Sequence, residues 1–183
     1  MAVSTQATTA ISKPISNDYR IDVLLDDASY RWNSSGPLQS SVTVSFSFMT
    51  AAPAYAAAED ANGFTPFTPD QIAATKQIPT RLSQNFNINV KEVTDSSSGY
   101  GQLRFGNNQQ GETSAGYAFV PDAATSDLAG DLYINNESAD NLANVVPGTY
   151  AYATLVHEVG HTLGLKHPGN YNAGEATSAL PAH

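Results

Sequence analysis

The sequence predicts an α/β protein in which helices pack on a mixed β-sheet. Residues 41–48 alternate apolar and polar side chains and predict a first strand, and a capped helical segment beginning at Thr68 follows it. Several short β-prone segments then lead to a second long helix near the end of the chain. A strand–helix–strand beginning followed by further short strands is typical of a mixed α/β (or α+β) sheet.

Five strands are predicted in all, each rich in β-branched or aromatic residues and bounded by turn-forming residues. Their predicted ranges are residues 41–48, 87–93, 101–106, 116–121 and 130–135. Residues 49–66 are rich in Ala, Pro and Gly and are predicted to form a loop.

Two helices precede the C-terminal one. Residues 19–25 form a short apolar segment with helical character. In the longer helix Thr68 is the predicted N-cap, Pro69 the first helical residue and Asp70 an acidic residue of the first turn. Pro79 lies inside the same helix, where the missing N–H predicts an interruption and a kink at a cost of about 3 kcal/mol.

The last helix is predicted to begin at an N-cap at or near Thr149 and to end near Leu163. Its predicted buried face consists of Leu155, Val156, Val159 and Leu163. An apolar stripe opposite a pair of ligand side chains would hold them rigidly.

Two histidines and a glutamate on this helix predict a hydrolytic metal site. His157 and His161 are four residues apart, which places both imidazoles on one face, one turn apart. Two such imidazoles make half of a tetrahedral zinc site. Glu158 follows the first histidine and points along a different edge, from which it can take the proton of a zinc-activated water.

A third ligand, His167, requires a turn. Gly164 lies between His161 and His167 and can adopt the left-handed conformation that ends a helix, while Pro168 prevents the helix from resuming. Three protein ligands and a water make the open coordination of a catalytic zinc.

Two other interpretations of these histidines were weighed. A single histidine is usually an ordinary surface or core residue, but three of the chain's four histidines fit one geometry here. A closed structural zinc site requires a fourth protein ligand. The one remaining histidine, His183, is the last residue of the sequence.

Composition excludes several functional classes. The 183 residues carry a net charge of −9 with only 8 Lys and Arg, which argues against binding of nucleic acid or an anionic membrane. The sequence has no cysteine, and so neither disulfides nor thiolate metal sites. The N-terminus has no apolar region of the kind found in Sec signal peptides, and no run is long enough to span a membrane.

The pattern H-E-x-x-H-x-x-G-x-x-H, formed by His157, Glu158, His161, Gly164 and His167, is the signature of the metzincin zinc endopeptidases. The continuation through residue 175 resembles one branch, the serralysins, which are secreted bacterial metalloproteases. The resemblance extends from about Tyr19 to Glu175. It implies a metzincin-like, twisted five-stranded mixed sheet with an active-site helix and a backing helix, a Zn²⁺ cofactor on the three histidines, and Glu158 as general base.

The resemblance also assigns a substrate-binding role to the fourth strand. In the family this is an antiparallel edge strand above the cleft, and here it corresponds to Tyr117, Ala118, Phe119 and Val120. A peptide can add itself to such an edge through main-chain hydrogen bonds, which implies broad specificity. The alternative is a plain sheet edge, blunted by Pro121.

The family pattern divides the chain into a flexible, propeptide-like lead over residues 1–17 and a truncated catalytic domain, the upper subdomain, over residues 18–183. The two methionines, Met1 and Met49, both precede the motif, so the Met-turn beneath the zinc is not expected here. Ca²⁺ is expected only in the family's C-terminal β-roll, which is also missing. Asn170 replaces an aspartate of many relatives, which would weaken zinc affinity if it contacts a ligand.

The resulting expectation is a secreted zinc endopeptidase acting on peptides or proteins, exported by the type I route. The alternative is an inactive or self-cleaved fragment that binds zinc without turnover. Further candidate partners are a proteinaceous inhibitor and a C-terminal fragment of the same protease.

Overall fold

The computed structural model describes residues 39–121 and 127–168, and before them residues 11–12, 16, 18–25, 28–29, 31–32 and 36–37. Most of the predicted lead, together with Asn170 and His183, therefore lies outside the described residues. Strand β1 (Ile11–Ser12), in the lead, pairs antiparallel with β2 (Ala28–Ser29), and the short helix α1 (Tyr19–Asp22) lies between them in sequence.

A five-stranded mixed sheet forms the centre of the protein, which confirms the predicted fold class. The strands are β3 (Val42–Phe48), β4 (Ile88–Glu92), β5 (Leu103–Asn108), β6 (Gly116–Ala118) and β7 (Asp131–Asn135). Their spatial order is β4-β3-β5-β7-β6, and all neighbouring pairs are parallel except β6 with β7. The antiparallel strand β6 lies at one end of the sheet.

The backing helix α3 (Pro69–Asn85) begins at the predicted N-cap. The Thr68 side chain accepts from the Gln71 N–H, and the Gln71 side chain accepts from the Thr68 N–H, which makes a complete capping box. The predicted interruption at Pro79 is wrong, because the helix continues to Asn85. Pro79 is buried, and its packing helps to offset the lost backbone hydrogen bond.

The predicted loop over residues 49–66 contains the one-turn helix α2 (Ala58–Ala61), and the 3₁₀ turn Ala139–Asn141 precedes the last helix. No helix of the described segments combines the length and the apolar character that crossing a membrane demands.

The hydrophobic core lies between one face of the sheet and the two long helices. Alternation along the strands sends Phe46, Phe105 and Leu132 to this side, where Leu155 of the last helix packs with them in one buried cluster. Because β5 and β7 are buried throughout, they position the residues at their ends rigidly.

The other face of the sheet is covered by a polar network. Arg104 forms an almost fully buried salt bridge of 2.7 Å with Asp95, and its Nη1 donates to the Tyr55 hydroxyl. The Tyr55 hydroxyl in turn lies 3.1 Å from Asp131 Oδ2. Burial raises the pKa of Asp131 to about 8, so this carboxyl is held largely neutral near neutral pH.

The last helix, α4 (Tyr150–Thr162), begins as predicted, with the Thr149 hydroxyl accepting from the Tyr152 N–H. Leu155 and Val159 are buried, but the prediction for Val156 is wrong, since 43% of this residue is exposed. Neighbouring residues of a helix point in different directions around its axis. Val156 therefore lies outside the buried stripe that contains Leu155, towards the face that also bears His157.

Candidate metal centre

Helix α4 and the turn after it bring the three motif histidines together. The Nε2 atom of His157 lies 2.9 Å from Nε2 of His167 and 3.1 Å from Nε2 of His161. His157 and His161 meet because residues four apart share a helix face. The three rings therefore direct a nitrogen each towards one point.

Gly164 brings the third histidine to this point, and its predicted left-handed conformation is confirmed by a φ of 99°. The Leu165 N–H donates to the Gly160 carbonyl and the Gly164 N–H donates to the His161 carbonyl, at 3.0 and 2.9 Å. These are the two hydrogen bonds of a Schellman motif, which ends the helix and reverses the chain.

His157 and His161 are set up as neutral ligands. The Nδ1 atom of His161 lies 2.7 Å from the Leu165 carbonyl oxygen, which can only accept, so Nδ1 carries the proton and Nε2 keeps its lone pair. Burial and the neighbouring imidazoles lower the pKa of His157 and His161. A lowered pKa favours the neutral imidazole, which is the form that binds a metal.

Glu158 directly follows the first of these histidines in the sequence and is only 5% exposed. Burial raises the pKa of its carboxyl to about 7. Among the described residues, its Oε2 atom is buried without a hydrogen-bond partner. A buried carboxylate oxygen without a partner is costly, and a group that exchanges a proton with a bound reactant is a common reason for such an arrangement.

The donor set fits zinc. Three imidazole nitrogens are ligands that Zn²⁺ favours, and a tetrahedral site with Zn–N bonds of about 2.0–2.1 Å places its nitrogens roughly 3.3 Å apart. The nitrogen separations of 2.9 and 3.1 Å are close to this value. The residues present therefore suit a metal held by three protein ligands.

Strand β6 runs past Glu158. A side-chain carbon at Gly116 would lie 3.1 Å from Glu158 Cγ, so the strand approaches the carboxylate closely because residue 116 has no side chain. Gly116 was not among the predicted site residues. No sequence pattern marked it, because its proximity to Glu158 arises from the packing of α4 against the sheet.

The hydrogen bonds of β6 define which of its backbone groups face away from the sheet. The Asn135 N–H donates to the Ala115 carbonyl and the Phe119 N–H donates to the Asp131 carbonyl. In an antiparallel ladder the alternate residues point the other way, so the N–H and C=O of Gly116 and Ala118 face outward.

The side chains of the predicted substrate strand have different surroundings. The Tyr117 hydroxyl donates to Asp60 Oδ1 at 2.7 Å and accepts from Asn108 on the polar face of the sheet. Val120 lies beyond the end of β6 and is 38% exposed. The Tyr117 side chain is therefore engaged on the polar face of the sheet, and the outward-facing groups of the strand are backbone groups.

Comparisons with known proteins agree with the motif. Metalloprotease AprA of Pseudomonas entomophila (strain L48) is 34% identical over 137 residues, covering 73% of this chain and 27% of that protein. Metallopeptidase AprA of Pseudomonas marginalis is 31% identical over 156 residues, covering 84% and 31%. Serralysin A of Dickeya chrysanthemi is 33% identical over 148 residues, covering 79% and 30%.

No protein-family model matches the chain. Two solved structures of myroilysin are similar at 16% sequence identity, with TM-scores of 0.40 and 0.39. They cover 67% and 88% of this chain and 47% and 60% of those chains, a likeness too distant to carry an argument.

A mixed five-stranded sheet beside a helix with this histidine pattern defines a metzincin-type metalloprotease fold. Over the residues that its relatives match, the chain belongs to the serralysin family. It spans about 30% of the length of these relatives.

Proposed function

We propose that this chain forms the part of a zinc-dependent endopeptidase that holds the metal and the general base. The observation that supports this most strongly is the convergence of three histidine nitrogens beside a buried glutamate whose Oε2 atom has no partner among the described residues. The relatives to which the chain is similar include a metalloprotease and a serralysin.

In this proposal His157, His161 and His167 hold Zn²⁺ through their Nε2 atoms. Bound there, the ion supplies Lewis acidity, which polarises a peptide carbonyl and acidifies a water. The hydrogen bond from His161 Nδ1 to the Leu165 carbonyl keeps that imidazole in the ligating tautomer.

Glu158 is the proposed general base. Its carboxylate accepts a proton from the attacking water as the new C–O bond forms, and returns it to the leaving amine as the C–N bond breaks. A pKa raised to about 7 suits both steps, because the group can accept and release the proton near neutral pH. Burial of Glu158 also keeps bulk water from competing for the same oxygen.

Strand β6 is the proposed substrate-binding edge. The outward N–H and C=O groups of Gly116 and Ala118 would pair with an extended peptide, which adds a strand to the sheet. Tyr117, Phe119 and Val120 complete the stretch that the family resemblance assigns to substrate. Because main-chain pairing dominates, we expect broad specificity for peptides and proteins.

The proposed secretion and the further proposed partners of the protein are taken from the family resemblance. Secretion by type I export is proposed together with the protease function. A proteinaceous inhibitor and a C-terminal fragment of the same protease are the further proposed partners. Calcium is not proposed to bind these residues, since the family resemblance assigns it to the C-terminal β-roll.

A second candidate function is zinc binding without turnover, in an inactive or self-cleaved fragment. One observation favours it: the apolar side chains of Val156 and Leu165, which neighbour the histidines in sequence, are 43% and 42% exposed. Apolar surface of this kind beside a catalytic centre is usually covered, and an open cleft would admit water to Glu158.

Substitution of the general base separates the two functions. The wild-type protein and Glu158→Gln are loaded with zinc, and metal content and casein cleavage are measured on the same samples. We expect equal zinc in both and a loss of cleavage of at least about 10²-fold in the variant. Equal cleavage by both proteins would exclude the role of Glu158, and zinc binding without cleavage by the wild type would favour the second function.

A further inference from the structure

The position of His167 depends on a short stretch that follows α4. The helix ends at Thr162, and the Schellman hydrogen bonds fix the chain only as far as Leu165. Lys166 and His167 lie beyond them. Something else must therefore hold this stretch if the third imidazole is to stay beside the other two.

The first contact that holds it is a main-chain hydrogen bond to the N-terminal part of the protein. The Lys166 N–H donates to the Leu24 carbonyl at 2.8 Å. Leu24 lies two residues after the end of α1, and its own N–H donates to the Ile21 carbonyl, so the accepting residue is itself part of a folded turn. This bond fixes the residue immediately before His167.

The second contact is made by Trp32. Its indole Nε1–H donates to the Thr162 carbonyl at 2.8 Å, and the bond is buried. Trp32 is 5% exposed and belongs to the main core cluster. Thr162 carries one of the last four carbonyls of α4, which have no partner within the helix. The indole therefore caps the helix one residue after His161.

We propose that the N-terminal residues Leu24 and Trp32 help to hold the metal centre in place, with Trp32 as a positioning residue for His167. This proposal rests on zinc ligation by the three histidines, as inferred above. One hydrogen bond fixes the chain just after the second ligand and the other fixes it just before the third. A ligand held in place before the metal arrives loses less conformational freedom on binding, so affinity is higher.

The direct test replaces the indole donor and measures zinc affinity. Trp32→Phe keeps an aromatic side chain in the core but leaves the Thr162 carbonyl without its partner. We expect zinc affinity, measured by competition with a chromophoric chelator, to fall by about tenfold or more, as is typical when a group that orients a ligand is lost. Val44→Ala is the matched control, because it removes buried core volume on β3, away from α4.

A double-mutant cycle distinguishes positioning from general destabilisation. If Trp32 acts through His167, then Trp32→Phe should weaken zinc binding in the wild-type background and have almost no effect in a His167→Ala background. The visible spectrum of the Co²⁺-substituted Trp32→Phe protein should also move towards that of His167→Ala. Equal losses in both backgrounds would overturn the positioning role.

A second pair of variants tests the hydrogen bond between the Lys166 N–H and the Leu24 carbonyl. Lys166→Pro removes the N–H that Leu24 accepts, whereas Lys166→Ala removes the same side chain and keeps the N–H. We expect weaker zinc binding from the proline variant alone. Unchanged affinity in Trp32→Phe and Lys166→Pro would overturn the proposal, whereas a wild-type protein that binds no zinc would overturn the metal centre itself.

Discussion

Glu158 is the residue on which the proposed catalytic role of the metal centre depends most. It directly follows His157, yet it is buried and its pKa is raised to about 7 rather than lowered. A carboxylate that serves as a structural ligand is normally held ionised by its metal and its hydrogen bonds. Glu158 instead has the properties that proton transfer near neutral pH requires.

Gly116 provides a test at the residue scale. In Gly116→Ala the new methyl group would lie 3.1 Å from Glu158 Cγ and from Ile134 Cδ1, so Glu158 must shift by a few tenths of an ångström. We expect a fall of about tenfold in kcat/KM for a peptide substrate, with zinc content unchanged, because small displacements of a catalytic group are costly.

Gly99→Ala is the control for this substitution. A side-chain carbon at Gly99 would meet no atom within 4 Å, so peptide cleavage should remain at the wild-type rate. If both variants cleave as fast as the wild type, β6 does not constrain Glu158.

At the scale of the element, α4 combines a buried apolar stripe with the exposed His157. The helix is fixed at its start by Thr149 and at its end by the Schellman turn and the Trp32 indole. Both ends of the helix that bears two of the histidines are therefore held.

Thr149→Ala should lower the free energy of unfolding by about 1 kcal/mol, because the Tyr152 N–H loses its acceptor. Thr80→Ala, at an exposed position inside α3, should change it by less than about 0.5 kcal/mol. Urea unfolding of the two variants measures the difference. Similar values for both would mean that the cap does not stabilise α4.

At the scale of the whole molecule, the polar face of the sheet predicts a dependence of stability on pH. Burial raises the pKa of Asp131 from 3.8 to about 8 in the folded protein. Folding therefore favours the neutral acid, and this contribution is fully present below pH 3.8 and is lost as pH rises towards about 8.

Asp131→Asn should flatten this dependence, because an amide keeps a hydrogen-bond acceptor for Tyr55 and does not ionise. The free energy of unfolding, measured by urea titration across that pH range, should fall less steeply with pH than in the wild type. Asp140→Asn, at an exposed position, is the control and should leave the slope unchanged. An identical slope in Asp131→Asn would contradict the buried, neutral state of Asp131.

Much of this molecule was predictable from local patterns. Alternation and β-prone segments bounded by turn residues located all five strands of the main sheet to within a few residues, and the Thr68 and Thr149 caps marked the starts of both long helices. The spacing of His157, His161 and His167 was enough to predict their convergence, because helix geometry and a glycine turn determine it.

The wrong predictions depended on tertiary packing. Pro79 does not interrupt α3, and Val156 is exposed although its neighbour Leu155 is buried. Gly116 lies close to Glu158, and the Trp32 indole donates to the Thr162 carbonyl. The two residues of each pair are far apart in sequence, so no local spacing connects them. Contacts between residues far apart in sequence are visible only once the chain has folded.

X-ray absorption at the zinc edge of the metal-loaded protein tests the proposed zinc site itself, because it counts the ligands of the ion. We expect three imidazole nitrogens at about 2.0–2.1 Å and one oxygen from water, and the same three imidazoles in Glu158→Gln. A fourth imidazole, or fewer than three, would contradict a catalytic centre built from His157, His161 and His167.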